Sequence, residues 1–240
     1  MEPWAIALTL VAVVVSFTVS ASAGLGGSLI LVPTLALILG TKEGVALAAL
    51  LLALNNVVKV IAYWKTLPFR KALVVIILVA VGAAIGASSL VAAPEEVVTV
   101  AVIASFVLAL IAERLDLSRL RRVGGPVLAF ASGATSGFSG TSGPLKGMAI
   151  RQLDLDRAHF VGAASLASLA GDAAKTAVFA EANLLGSSSL LIALLAVPLM
   201  LLGTFGGRHI NYAIGEKGYT VLFWAVMGGY TARLLLSLFS

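Results

Sequence analysis

The sequence predicts an all-α integral membrane protein made of two inverted-topology repeats. Each repeat is a membrane hairpin with a glycine-rich tip, followed by three transmembrane helices. Three observations lead there. Of the 240 residues, 60% are hydrophobic and only 11% charged, with a mean hydropathy of +1.08. A soluble domain carries about 25% charged residues, so this chain lacks the polar surface that water demands. Its apolar runs approach the roughly 20 residues of one bilayer crossing; they are too long for barrel strands, and lipid tolerates no open sheet edge. Finally, the chain matches itself at an offset of 116 residues, Gly24 falling on Gly140.

Composition also excludes chemistry. There is no cysteine, so disulfides, thiolate metal sites and iron–sulfur clusters are absent. The two histidines, His159 and His209, stand fifty residues apart and form no ligand pair for haem or zinc. No metal, cofactor or catalytic residue is expected. The net charge of +5 sits in short loops between apolar runs, which points to membrane topology and not to nucleic acid.

Residues 1–115 form repeat 1 and 116–240 repeat 2 of a single membrane domain. The first run, 3–22, ends in Ala21-Ser22-Ala23 like a cleavable leader. It has Glu2 and no Lys or Arg ahead of it and is too long for a leader, so a retained membrane helix is expected. With 25–40 it makes the hairpin 3–40, turning at Gly24-Leu25-Gly26-Gly27-Ser28. Helices 44–64, 71–92 and 96–112 follow, with Lys42, Glu43, Lys65, Arg70, Lys71, Glu95 and Glu96 in the breaks. In repeat 2, 124–139 and 142–153 form a second hairpin, 124–153, because 142–153 is too short to span and contains Lys146. Helices 158–180, 189–206 and 218–239 complete it.

Basic residues orient the chain. Loops 65–71 and 113–122 are rich in Lys and Arg and belong inside, as does 206–217 with Arg208 and Lys217. Loops 93–96 and 181–188 carry glutamate but no basic residue and belong outside. A multi-pass protein of the cell membrane results, with both termini outside. Trp4, Tyr63, Trp64 and Trp224 near span ends read as interfacial belt residues, and Arg157 and His159 as interfacial.

At the same offset, Asn55-Asn56-Val57-Val58-Lys59 falls on Gly171-Asp172-Ala173-Ala174-Lys175. Composition explains part of such a match in an Ala-, Leu- and Gly-rich chain. The pairing of glycine clusters and of the isolated lysines Lys59 and Lys175 raises it above that. Each copy has five elements, an odd number, so the second enters the bilayer upside down. Inverted repeats with interrupted helices at their interface are the architecture of secondary transporters, which bind near the midplane.

The candidate site gathers at the two tips. Gly24, Gly26, Gly27 and Ser28 in the first, and Ser139, Gly140, Thr141, Ser142 and Gly143 in the second, offer backbone amides and hydroxyls to an anion. Close helix packing through small residues, as at Gly82-x-x-x-Gly86, is the other use for such glycines. Lys59 and Lys175 lie within spans, where a charge costs roughly 2.5–3.5 kcal/mol and faces a cavity or a partner. Lys59 either does so or snorkels to the interface, six residues from Lys65. Asp172, one turn before Lys175, pairs with it, either to exchange a proton for an anion or simply to neutralise it. Asn55 and Asn56 either donate to the anion or join helices. Lys146 is either an anion attractor on the cytoplasmic side or an interfacial anchor.

At these residues the chain resembles the sulfite exporter (TauE/SafE) family of membrane proteins. The signature is a glycine-rich turn, an apolar run and a proline, as in Gly24-Leu25-Gly26-Gly27-Ser28-Leu29-Ile30-Leu31-Val32-Pro33. The second copy departs from it: Pro144 comes early, Lys146 intrudes and Ala149 replaces the proline. The resemblance implies export of sulfite, sulfonates or related small anions across a lipid bilayer. Alternating access around the two tips, with proton coupling through Asp172, is the leading expectation. A passive anion channel, or a membrane-embedded enzyme or assembly factor without transport, is the alternative.

Overall fold

The computed structural model describes residues 3–23, 28–112, 124–142 and 145–202, and every regular element among them is helical. Helix α1 spans Pro3–Ala23, α2 Ser28–Leu39, α3 Thr41–Ala62, α4 Phe69–Ala92 and α5 Glu95–Ala112. Then come α6 (Gly125–Ser139), α7 (Leu145–Arg151), α8 (Arg157–Glu181) and α9 (Ser187–Leu202). These bounds lie within a few residues of the sequence expectation. The glycines of the first tip, Gly24, Gly26 and Gly27, lie outside the described residues, as do Gly143, loops 113–122 and 206–217, and helix 218–239.

Helix ends are fixed by long-range partners. Gly40 takes φ 95°, a left-handed conformation that glycine adopts freely, and reverses the chain between α2 and α3. The freed amide of Thr41 donates to Glu95 Oε1 at 2.8 Å, while Lys42 Nζ donates to the Val91 carbonyl at 2.9 Å. A carboxylate from the start of α5 thus serves the positive end of α3, and an ammonium the negative end of α4. At α8, the Asp156 side chain accepts the His159 amide at 3.0 Å and lies 2.6 Å from His159 Nδ1.

Burial is inverted relative to a water-soluble bundle. On α4, Leu73, Ile77, Val81 and Ile85, spaced one turn apart, are each about half exposed, whereas Ala72, Gly82, Ala83, Gly86 and Ala87 are buried. Leu190, Leu194 and Leu202 make a similar exposed stripe on α9. Large apolar side chains facing outward and small ones inward is what lipid requires. Both α3 and α4 are long and apolar enough to cross a bilayer.

Small residues let α4 and α6 run in parallel contact. A Cβ on Gly82 would meet the Phe130 carbonyl and one on Gly86 the Ala134 carbonyl. Reciprocally, Gly133 faces the Val79 carbonyl and Gly137 the Ala83 carbonyl. Gly137, two residues before the second tip, therefore serves packing. The start of α6 lies beside the end of α7, since a Cβ on Gly125 would stand 3.0 Å from Gln152 Oε1.

Helices α3 and α8 run antiparallel. A Cβ on Gly162, early in α8, would meet the carbonyl of Thr66, just past the end of α3. Ten residues back along α3 and ten onward along α8, Asn56 hydrogen-bonds Asp172, which belongs to the same register. Two apolar clusters flank that crossing. One joins Ala72, Val75, Leu128, Ala149, Ala163 and Ala167; the other joins Phe17, Leu31, Leu47, Leu90, Phe179 and Ile192. On α8, Asp172 and Lys175 fall between Ala167 of the first and Phe179 of the second. The polar centre is sandwiched between two apolar layers.

Two outcomes follow. Gly133→Ala and Gly137→Ala force a methyl onto backbone and should each cost about 1–3 kcal/mol, read as reduced unfolding free energy in detergent; unchanged stability would mean that α4 and α6 are not in close contact. The amide of His159, followed by its ring, holds the Asp156 carboxyl below the usual carboxylate range. Its folded pKa is depressed, so its stabilisation is present above the unfolded pKa of about 4 and lost as pH falls through the folded value. Asp156→Asn keeps a capping oxygen without the titration and should flatten the acid limb of thermal stability.

Candidate functional site

Asp172 and Lys175 sit one turn apart on α8, which puts both on one helix face. Lys175 Nζ lies 2.8 Å from Asp172 Oδ1, and the lysine is 1% exposed. Its ammonium also donates to Ser136 Oγ on α6 at 3.1 Å. The second carboxylate oxygen of Asp172 accepts from Asn56 Nδ2 on α3 at 2.7 Å. Asn56, Asp172, Lys175 and Ser136 thus form one polar string across three helices. Moving each ion out of water costs several kcal/mol, offset only when the pair is close and its remaining donors and acceptors are satisfied. Here the pair is close, both carboxylate oxygens have a partner and two of the three ammonium protons are engaged.

Two more cations share the region. Lys59 lies within electrostatic range of Asp172, and Lys146 within range of Asp172, Lys175 and Lys59. Both are partly buried, and among the described residues neither makes an ion pair or hydrogen bond. Among the described residues, three lysines around one carboxylate leave two positive charges without a counter-charge. Asn55, one turn before Lys59, is 5% exposed and has no hydrogen-bond partner among the described residues.

Of the other residues singled out by sequence, Ser28 begins α2 and is partly buried. Ser139 is buried, and its hydroxyl donates to the Thr135 carbonyl at 2.8 Å. Gly140 ends α6 at φ 78°, gives its amide to the Ser136 carbonyl at 3.0 Å, and lies against Val32 of α2. Thr141 is buried and Ser142 partly buried beside it. The end of α6 therefore touches α2, with the Gly140 amide and Ser139 hydroxyl proton already engaged.

Ser136 is the addition that sequence reasoning missed, and Lys146 is one that it named without placing beside Asp172. Lys146, read as an attractor at the cytoplasmic side or an interfacial anchor, stands within range of the buried carboxylate. Its intrusion into the glycine-rich run was the available signal. Nothing in the sequence ties Ser136 to a lysine 39 positions away. A further pair is Ser16 and Ser132, also 116 positions apart: both are fully buried and neither hydroxyl has a hydrogen-bond partner among the described residues.

A separate cleft of about 480 Å³ lies between the 67–71 and 154–159 segments, lined by Arg70, Lys71, Asp154, Asp156 and His159 among others. It is about 20 Å along α8 from Asp172, at 1.5 Å per residue, and is not part of the polar string.

The chain matches the family model described as sulfite exporter TauE/SafE over residues 8–234, nearly its whole length. Neither a curated protein nor a solved structure matches it.

Lys175→Met strands the Asp172 carboxylate in the interior and should cost about 3–5 kcal/mol of stability, whereas Asp172→Asn with Lys175→Met removes both charges and should recover most of it. A double-mutant cycle on detergent-solubilised protein measures the coupling; additive losses would show that the two side chains do not stabilise each other.

Proposed function

Because the chain belongs to the sulfite exporter TauE/SafE family of transporters, we propose that it is a secondary active transporter exporting small anions such as sulfite or organosulfonates by alternating access. The observation that carries this reading is the bond between Asn56 and Asp172, residues separated by the repeat offset of 116. When equivalent residues of an inverted duplication touch, they do so on the axis relating the two copies. The antiparallel crossing of α3 and α8, whose first residues Thr41 and Arg157 are also 116 apart, supports the duplication. So does the matching pair of unpartnered hydroxyls, Ser16 and Ser132.

Transporters of this architecture rock one repeat against the other around a central site. Here that centre carries an excess of positive charge between two apolar layers, which suits an anion and excludes a cation. Coupling to protons is read from the same string. A proton on Asp172 cancels the charge that holds Lys175 and releases that ammonium toward the anion, and loss of the proton re-forms the pair. The short α7, seven residues or about 10 Å at 1.5 Å per residue, is too short to cross the bilayer, and with α6 it fits a re-entrant hairpin whose two ends share one side.

Purified protein in liposomes should move sulfite against its gradient when a proton gradient is imposed, with saturation, and Asp172→Asn should abolish the response to the proton gradient. Flux that runs only downhill and does not saturate would make the protein a passive channel. Absence of flux for sulfite, sulfonates and thiosulfate would overturn the reading.

A further inference from the structure

The polar centre divides into groups the fold has used and groups it has left unspent. Lys175 is neutralised by Asp172 and bonded to Ser136; Asn56 is bonded to Asp172; Ser139 is bonded to Thr135. Asn55, Lys59 and Lys146 have no such partner among the described residues. Asn55 and Lys59 stand four residues apart and share one face of α3, turned by one residue from Asn56. Lys146 enters from α7, within electrostatic range of Lys59.

A buried charge without a partner is costly, and two like charges near each other cost more. Asp172, already bonded to Lys175 and Asn56, attracts both lysines without neutralising them, and two such cations left over among the described residues point to a further anionic ligand. We propose that Asn55, Lys59 and Lys146 form the anion subsite of the transport centre and that it holds a doubly charged oxyanion. This rests on the transporter reading and names its ligand-holding residues and charge. While Asp172 is ionised, Lys175 is held by it and supports the site from behind. A dianion between Lys59 and Lys146 makes the loaded centre electrically neutral, the condition that lets a charged cluster persist in the hydrocarbon region. A monoanion leaves one positive charge uncancelled. The Asn55 amide contributes a neutral donor, which any oxyanion can use regardless of its charge.

Sulfite and methanesulfonate at pH 8.5 test this, because they present the same three-oxygen face and differ by one unit of charge. Binding to the purified full-length chain in detergent is measured for both. Wild type should prefer sulfite by about tenfold or more, roughly the effect of one well-placed interaction. Lys146→Gln and Lys59→Gln should each remove most of that preference, Lys146→Arg should keep it, and Asn55→Leu should weaken both anions alike. Because neither lysine makes an ion pair or hydrogen bond among the described residues, Lys146→Gln and Lys59→Gln should lose far less stability than Lys175→Met. An unchanged sulfite preference in Lys146→Gln, a wild type that favours methanesulfonate, or a glutamine variant destabilised as much as Lys175→Met would overturn the assignment while leaving transport intact. A wild type that binds neither anion would instead bring down the transporter reading.

Discussion

One constraint governs the interior: a carboxylate and an ammonium sit where little water reaches them. At the surface such a pair contributes little; in the interior it survives only if its remaining donors and acceptors are largely met. Asp172 meets that demand with Lys175 on one oxygen and Asn56 on the other, and Lys175 adds Ser136. The demand fixes geometry well beyond four side chains. Helices α3, α6 and α8 must approach at one level, and α6 reaches it because Gly133 and Gly137 allow it to lie directly on α4. The glycines of α4 and α6 and the charges of α8 are thus two parts of one arrangement, the first setting the distance at which the second becomes affordable.

The two apolar clusters have a related role. Each packs small and branched side chains on one side of the crossing, and neither extends through it. The bundle therefore behaves as two dry layers joined by a polar hinge level. The ends of α3, α4 and α5 are tied by Glu95, Lys42 and the Thr41–Thr99 hydroxyl contact at 2.6 Å, so that layer moves as a unit if it moves. In the proposed cycle, motion concentrates at the level where hydrogen bonds can be exchanged, not in the close-packed layers, which deform little.

What the sequence reveals follows from what is local. Apolar runs and charged breaks locate α3, α4, α5 and α8 to within a few residues, because lipid imposes length and composition on each helix separately. The Asp172–Lys175 pair is legible for the same reason: one turn of helix brings the two together whatever surrounds them. Ser136 is not legible, and Lys146 is legible only as a choice between attractor and anchor, because their positions depend on how α6 and α7 lie against α8. The tip at Gly140 shows the opposite error. Its glycines suggest free amides, yet Gly140 closes α6 with its own N–H and presses on Val32. A glycine cluster states that the backbone bends or approaches closely, and only tertiary contacts say which.

The contact between α3 and α8 carries one further lesson, at Asn56 and Asp172. Were both residues aspartate, two carboxylates would face each other and would have to share a proton. Were both asparagine, nothing would hold Lys175. The chain has one of each, Asn56 donating to Asp172. This asymmetry separates two jobs that a symmetric pair would confuse. A protonated Asp172 keeps a carbonyl oxygen that can still accept from Asn56, so the joint between α3 and α8 outlasts protonation, while the charge that holds Lys175 does not. In the proposed transporter, the helices of the two copies can stay fastened at the axis while the lysine beside it is released and recaptured.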